Sequence, residues 1–195
     1  MLTLVQGAAL IGISRKALQS KISSIKFDKK IKEEFFSING CFVTLYKDGK
    51  IRGSCGMPEP GIPLYQAVVS AAGAAAFRDP RFNPLEKNEA NEVCIELTVI
   101  TNPKKIYVRN PDEYLQRIHL GKDGILVRGV FSSGYLLPVV ALEKKMDPLS
   151  FLRAACAKAG LKHDEWRDFD TVNVYSFNAQ VFGESEPNGN VIQLM

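Results

Sequence analysis

A chain of 195 residues, 46% hydrophobic and 24% charged, holds enough apolar mass for one sizeable domain or two lobes sharing a core, and its composition excludes a disordered chain. The formal charge of +4 is mild, and no apolar run approaches bilayer-spanning length, so no membrane association is expected. Met1-Leu2-Thr3-Leu4-Val5 lacks the basic start of a secretory leader, and Gly12, Arg15 and Lys16 interrupt the apolar stretch that follows, which points to a cytoplasmic protein.

The first predicted element is a helix over residues 3–20, with Leu4, Ala8, Ile11, Leu18 and Ile22 on one face and Arg15 as the exception. Arg15, Lys16, Lys21, Lys26, Lys29, Lys30 and Lys32 gather much of the positive charge, as the solvated side of a helix and a polar connection would. Residues 41–46 and 50–55 read as strands joined by Asp48-Gly49, a pair that accepts positive φ at both positions of a tight hairpin turn. Pro58, Pro60, Gly61 and Pro63 stiffen the loop before a helix over residues 64–77, whose alanines and Gly73 allow close approach to a sheet. Asp79-Pro80-Arg81-Phe82-Asn83-Pro84 cannot continue it, and residues 85–90 suggest a short charged helix. Residues 93–100 alternate as a strand and residues 111–118 suggest a short helix. Residues 125–131 and 135–140 are expected to form a second hairpin around Ser132-Ser133-Gly134. Asp147, Pro148 and Gly160 mark the ends of a further helix, and residues 171–182 form a last long strand. Hairpins separated by helices predict an α+β fold with a predominantly antiparallel sheet.

Four dispersed cysteines, Cys41, Cys55, Cys94 and Cys156, and two histidines, His119 and His163, lack local metal-ligand spacing, so no metal is expected and the thiols read as small core residues. Gly121-Lys122-Asp123-Gly124 fits neither a Walker motif nor a dinucleotide fingerprint and leaves the cofactor unassigned. The chemistry concentrates instead in Ile51-Arg52-Gly53-Ser54-Cys55-Gly56. Continued from the turn, the hairpin puts Leu45 opposite Arg52 and Val43 opposite Ser54, so that Arg52 and Ser54 share a face with Cys41, Val43 and Leu45. Both faces are then apolar and covered. A buried guanidinium needs a carboxylate or a bound anion, and Glu96, Asp79 and Glu143 are candidate partners. Gly53 and Gly56 permit close approach of a ligand or another element, with positive φ available to Gly56 at the strand end. Exposed N–H groups beside Arg52 would then suit a carboxylate or phosphate. Ser54 and Cys55 invite a nucleophile reading, which requires a base that neither histidine supplies by motif. Asp79, Arg81 and Phe82 are read as a pocket rim or as a loop lock.

Cys41 to Tyr46, Asp48-Gly49, the Arg52 segment and Asp79-Pro80-Arg81-Phe82 together resemble the AMMECR family, named for the Alport syndrome, midface hypoplasia and elliptocytosis chromosomal region. Glu96-Leu97-Thr98-Val99, Gly121-Lys122-Asp123-Gly124, Leu136-Leu137-Pro138-Val139, Glu143 and Lys158-Ala159-Gly160-Leu161 extend the likeness along nearly the whole chain. The family's hallmark is Leu-Arg-Gly-Cys-Ile-Gly. Here Ile51 replaces the leucine, Ser54 the cysteine and Cys55 the isoleucine, while Arg52, Gly53 and Gly56 match. The resemblance implies a single domain of two lobes with the hallmark near a cleft, and an activity that is not established. It also implies a suggested role in basic information processing and protein partners in a modification pathway with Memo-type or radical-SAM proteins.

The reading that follows is a ligand site of Arg52, Gly53, Ser54, Gly56, Asp79, Arg81 and Phe82 for a small anionic or polar group, with Ser54, Cys55 and Glu143 as candidate catalytic residues. The alternative is a protein or nucleic-acid interaction module that works through residues 15–32 without catalysis.

Overall fold

The computed structural model describes residues 1–20, 24–37, 39–59 and 61–195; Lys21, Ile22 and Pro60, assigned above, lie outside them. The chain divides into two units, Met1–Ile100 with Gln180–Met195, and Thr101–Ala179.

In the first unit, α1 (Leu4–Gln19) begins at Thr3, whose side chain accepts the Gln6 N–H while the Gln6 side chain returns to the Thr3 N–H. Asp28 caps a second short helix, α2 (Lys29–Glu34), within the charged stretch. Strands β1 (Gly40–Lys47) and β2 (Lys50–Met57) form the predicted hairpin, and Asp48 and Gly49 take the positive φ that such a turn needs. Helix α3 (Leu64–Phe77) follows, then β3 (Cys94–Ile100). Residues 85–90 do not form the expected charged helix; a single 3₁₀ turn, Glu89–Asn91, occupies part of that stretch. The strand order is β2-β1-β3-β7, where β7 is Asn173–Glu184, and β8 (Val191–Gln193) pairs with the end of β7.

Cys41, Val43 and Leu45 on one face of β1 are fully buried, as are Ala67, Val68, Ala71 and Ala72 of α3 in the same core cluster. The opposite row, Phe42, Thr44 and Tyr46, is half-buried, so the hairpin is not covered equally on both faces as its apolar sequence suggested.

Arg15, the exception on the α1 stripe, is an internal residue. Its guanidinium donates to the Ala90 carbonyl, to the Val93 carbonyl at 2.8 Å and to the Glu184 carboxylate, which also accepts the Ile95 N–H at 2.8 Å. The pair fastens α1 to the turn before β3 and to the end of β7, and it withdraws one cation from the basic stretch that begins the chain.

In the second unit, β7 continues the order β7-β5-β6, with β5 at Asp123–Arg128, β6 at Ser133–Leu136, and the two-residue β4 (Lys104–Lys105) also on β7. Helices α4 (Glu113–Arg117), α5 (Pro138–Glu143) and α6 (Pro148–Lys158) complete it. Residues 135–140 are not one strand. Pro138 fits the first turn of a helix, where its missing N–H costs nothing, and Leu137 ends the extended segment. The start and stop of α6 follow the sequence signals: Asp147 accepts the Ser150 N–H at 2.7 Å, and Gly160 has φ +74°. Trp166, Phe151, Leu152, Ile125, Val127 and Val174 form the centre of this unit's core.

Removing one partner of a buried ion pair leaves an uncompensated charge, at a cost of about 3–5 kcal/mol. Glu184→Gln is therefore expected to lower the urea-unfolding free energy by about that amount. An unchanged transition midpoint would show that the pair is dispensable.

Candidate functional site

The hairpin register sets the site. Lys47 pairs with Lys50 and Tyr46 with Ile51, but Leu45 pairs with Gly53, so Arg52 is the extra residue of a β-bulge. Beyond the bulge every side chain is on the face opposite to the one a regular hairpin dictates. Ser54 therefore lies opposite Thr44, with the two hydroxyl oxygens 3.0 Å apart, and not beside Val43. Cys55 lies opposite Val43 and packs against the core cluster.

The close approach of two backbones accounts for the bulge's location. A Cβ on Gly53 would sit 2.1 Å from the carbonyl oxygen of Ala75, near the end of α3, and that approach admits no side chain. Gly56 remains within the strand opposite Phe42, where a Cβ would meet the ring at 2.3 Å, and it does not take the positive φ anticipated for it. Both glycines thus serve contacts within the fold.

Pressed out of the ladder, Arg52 meets a carboxylate that the sequence reading missed. Its Nε and Nη2 donate to the two oxygens of Glu89 at 3.2 and 2.8 Å, and its Nη1 donates to the Asn83 carbonyl at 3.0 Å. Lys47 Nζ reaches the same carboxylate at 3.1 Å and Glu92 at 2.8 Å, while the Glu86 N–H adds a further bond to Glu89. These contacts hold the Glu89 carboxyl at about 2, below its ordinary 4.5, with Arg52 the largest cause and the Glu86 N–H next. Nothing in the sequence around Glu89 distinguishes it from Glu86 or Glu92; only the fold does. Among the candidates weighed, Asp79 is committed elsewhere, and Glu143 is exposed on α5 of the second unit.

Asp79 is buried and accepts the Ser54 N–H at 2.8 Å. It also accepts Arg81 through Nε at 3.0 Å, Nη2 at 2.7 Å and the backbone N–H at 3.1 Å. The Arg81 fork, supported by these N–H groups, holds the Asp79 carboxyl well below the usual carboxylate range despite burial. The Arg81 guanidinium lies 5.3 Å from the Phe82 ring centroid and its side chain is 57% exposed, against 18% for Arg52. Arg52, Pro80, Arg81, Phe82 and Asn83 together line an open depression of about 470 Å³. Four residues of the predicted set, Arg52, Asp79, Arg81 and Phe82, are thus brought to one place, and Ser54 is linked to it through Asp79.

Nucleophilic chemistry finds little support in this arrangement. The Ser54 hydroxyl is bonded to another hydroxyl, and burial pushes the Cys55 thiol up, against the pull of Arg78, which disfavours the reactive thiolate. His119 is bonded to Asp123 at 3.0 Å, and His163 is exposed after α6. All four cysteines are free thiols, and among the described residues no group of three His, Cys, Asp or Glu is placed to hold a metal.

A carboxyl with a depressed folded-state pKa adds stability above its unfolded value, and that stability is lost as pH falls through the folded one. Unfolding free energy should therefore drop between pH 4.5 and about 2 as Glu89 takes up its proton. Glu89→Gln should be less stable at neutral pH and show a shallower acid limb in urea titrations; identical limbs would remove Glu89 from the account. Gly53→Ala should cost about 1–3 kcal/mol by overpacking against Ala75, read from the same denaturation curves.

The sequence model of the family described as AMMECR1 matches residues 11–182. Protein MK0488 of Methanopyrus kandleri is 45% identical over 97% of this chain and 94% of its own length. Protein MJ0810 of Methanocaldococcus jannaschii is 38% identical over 99% and 97%. The crystal structure of uncharacterized protein PH0010 from Pyrococcus horikoshii superposes with a TM-score of 0.88 at 35% identity, covering 96% of this chain and 95% of that one. On this match of sequence and fold, the chain belongs to the AMMECR1 family.

Proposed function

We propose that the depression beside Arg52 binds a small anionic group, a carboxylate or phosphate ester, and that recognition rather than covalent chemistry is its task. The observation that carries this reading is the presence of two guanidiniums on one open depression, each held in orientation by its own carboxylate, with an aromatic ring beneath one of them. A guanidinium fixed by a bidentate carboxylate has already lost the side-chain freedom that ligand binding would otherwise cost. Arg81 keeps its outer edge toward solvent, and Phe82 offers a flat apolar wall. The Ser54 N–H, by contrast, is taken by Asp79, so Ser54 supports the site through that carboxylate, while Gly53 and Gly56 serve the packing of the hairpin. In a modification pathway, the setting that the family resemblance implies, such a group would belong to a metabolite or to a modified side chain.

Isothermal titration of the full chain with phosphate, pyrophosphate and citrate tests the reading. At least one anion should bind, and Arg81→Ala should weaken it by about tenfold or more, in line with the loss of a charged hydrogen bond. Arg52→Lys should also weaken it, since lysine lacks the planar fork. Equal affinity in wild type and Arg81→Ala, with the fold intact by circular dichroism, would show that the depression is not the binding site.

A further inference from the structure

A second locus lies in the Thr101–Ala179 unit and belongs to neither the Arg52 depression nor the basic stretch at the start of the chain. Lys105 of β4 pairs with Tyr175 of β7, and Tyr175 has Leu126 of β5 on its other side. The Ile106 N–H continues the pairing to the Val174 carbonyl at 2.9 Å, so Tyr107 emerges on the same face as Lys105, two residues along. Ile106, between them, is buried in the core cluster.

Two cations are set against rings on this face, where Tyr107 is exposed and Tyr175 half-buried. Lys105 Nζ lies 5.6 Å from the Tyr107 ring centroid, and the Arg128 guanidinium lies 5.2 Å from that of Tyr175. Tyr107 is 74% exposed, an unusual position for a large aromatic residue that has no packing role to fill. Lys104 and Arg109 are exposed on the same short segment. The unit as a whole carries twelve Lys and Arg against nine Asp and Glu, and three of those carboxylates, Asp112, Glu113 and Asp164, are engaged by Arg167, Arg117 and Arg153.

We propose that Tyr107 and Tyr175, with Lys105 and Arg109 beside them, form a binding surface for single-stranded nucleic acid. Charge alone would attract any polyanion, but the open ring of Tyr107 offers nothing to a carboxylate. It does suit a nucleobase, whose stacking on aromatic rings tolerates any sequence. Tyr107 is the diagonal neighbour of Tyr175, two residues beyond the Lys105–Tyr175 pair, at the roughly 7–8 Å of such positions, a span that successive unstacked bases of one strand can bridge. Arg128 braces the Tyr175 ring, and Lys105 and Arg109 meet the phosphates. In a duplex the base faces are already stacked on one another, so this surface discriminates against it.

Fluorescence anisotropy of a labelled short oligouridylate with the full chain at low ionic strength tests the assignment. Binding is expected, and it should weaken as salt is added. Tyr107→Ala should weaken it by about tenfold, as the loss of one stacked base requires, while Tyr107→Phe, which keeps the ring, restores it. Lys105→Gln should lower the salt slope. Because Tyr107 is exposed, its variants should keep the wild-type melting curve. Absence of binding at low salt, equal affinity for a duplex or for polyglutamate, or indifference to Tyr107→Ala would each overturn the proposal.

Discussion

The arrangement around Arg52 depends on one steric constraint, the approach of the Gly53 backbone to the Ala75 carbonyl. A strand that must pass this close to a helix end can present no side chain there, and the ladder accommodates the approach by extruding the residue before it. Arg52 becomes the bulge, and the side chains that follow exchange faces. The Ser54 N–H then meets Asp79, which begins the loop after α3 and ties that loop back to the strand. The contact that fixes the strand also fixes the loop carrying Arg81 and Phe82.

Charge pairing follows from this geometry. Arg52 is largely withdrawn from water, with 18% of its side chain exposed, and an unpaired guanidinium in that setting would be costly. Glu89, at 14%, faces the same cost, and each relieves the other. Asp79 is the most enclosed of these acids, and three N–H donors besides the Arg81 fork's second bond secure it as the charged form. The outcome is asymmetric. Arg52 is tied on three sides, whereas Arg81 is tied on one edge and open on the other.

Much of this fold was legible because local signals agreed with the final packing. The Asp48-Gly49 turn, the bounds of α3 and the Asp147, Pro148 and Gly160 punctuation of α6 are set by backbone preference within a few residues. The misreadings arose where distant parts decide. The alternation of residues 50–55 predicts a regular ladder, since a bulge imposed by Ala75, some twenty residues away, leaves no trace in the strand's own pattern. Glu89 was invisible as the Arg52 partner for the same reason, and Arg15 interrupted a helical stripe because its counter-charge, Glu184, lies near the other end of the chain. Val139 and Val140 are β-branched and apolar enough for a strand, but Pro138, a residue that can open a helix, prevails over that propensity. The Arg52, Asp79, Arg81 and Phe82 grouping was legible because unusual residue types near glycines and prolines mark positions where the backbone is under instruction.

The reversed faces beyond the bulge also explain how this chain can exchange two hallmark residues. Position 55, opposite Val43, is half-buried and packs against the core cluster, so it suits a small or medium apolar side chain, and both the family's isoleucine and Cys55 fit there. Position 54 is on the half-buried row beside Thr44, where either a hydroxyl or a thiol can sit next to a hydroxyl. The swap therefore moves a sulfur to the row that packs against the core, where burial raises the thiol's pKa and disfavours the thiolate. What the sequence retains through that change is Arg52, Gly53 and Gly56, the residues that make the bulge and its close contacts. The hallmark in this chain is thus a device for shaping backbone and holding guanidiniums, and a thiol at position 54 is not among its requirements.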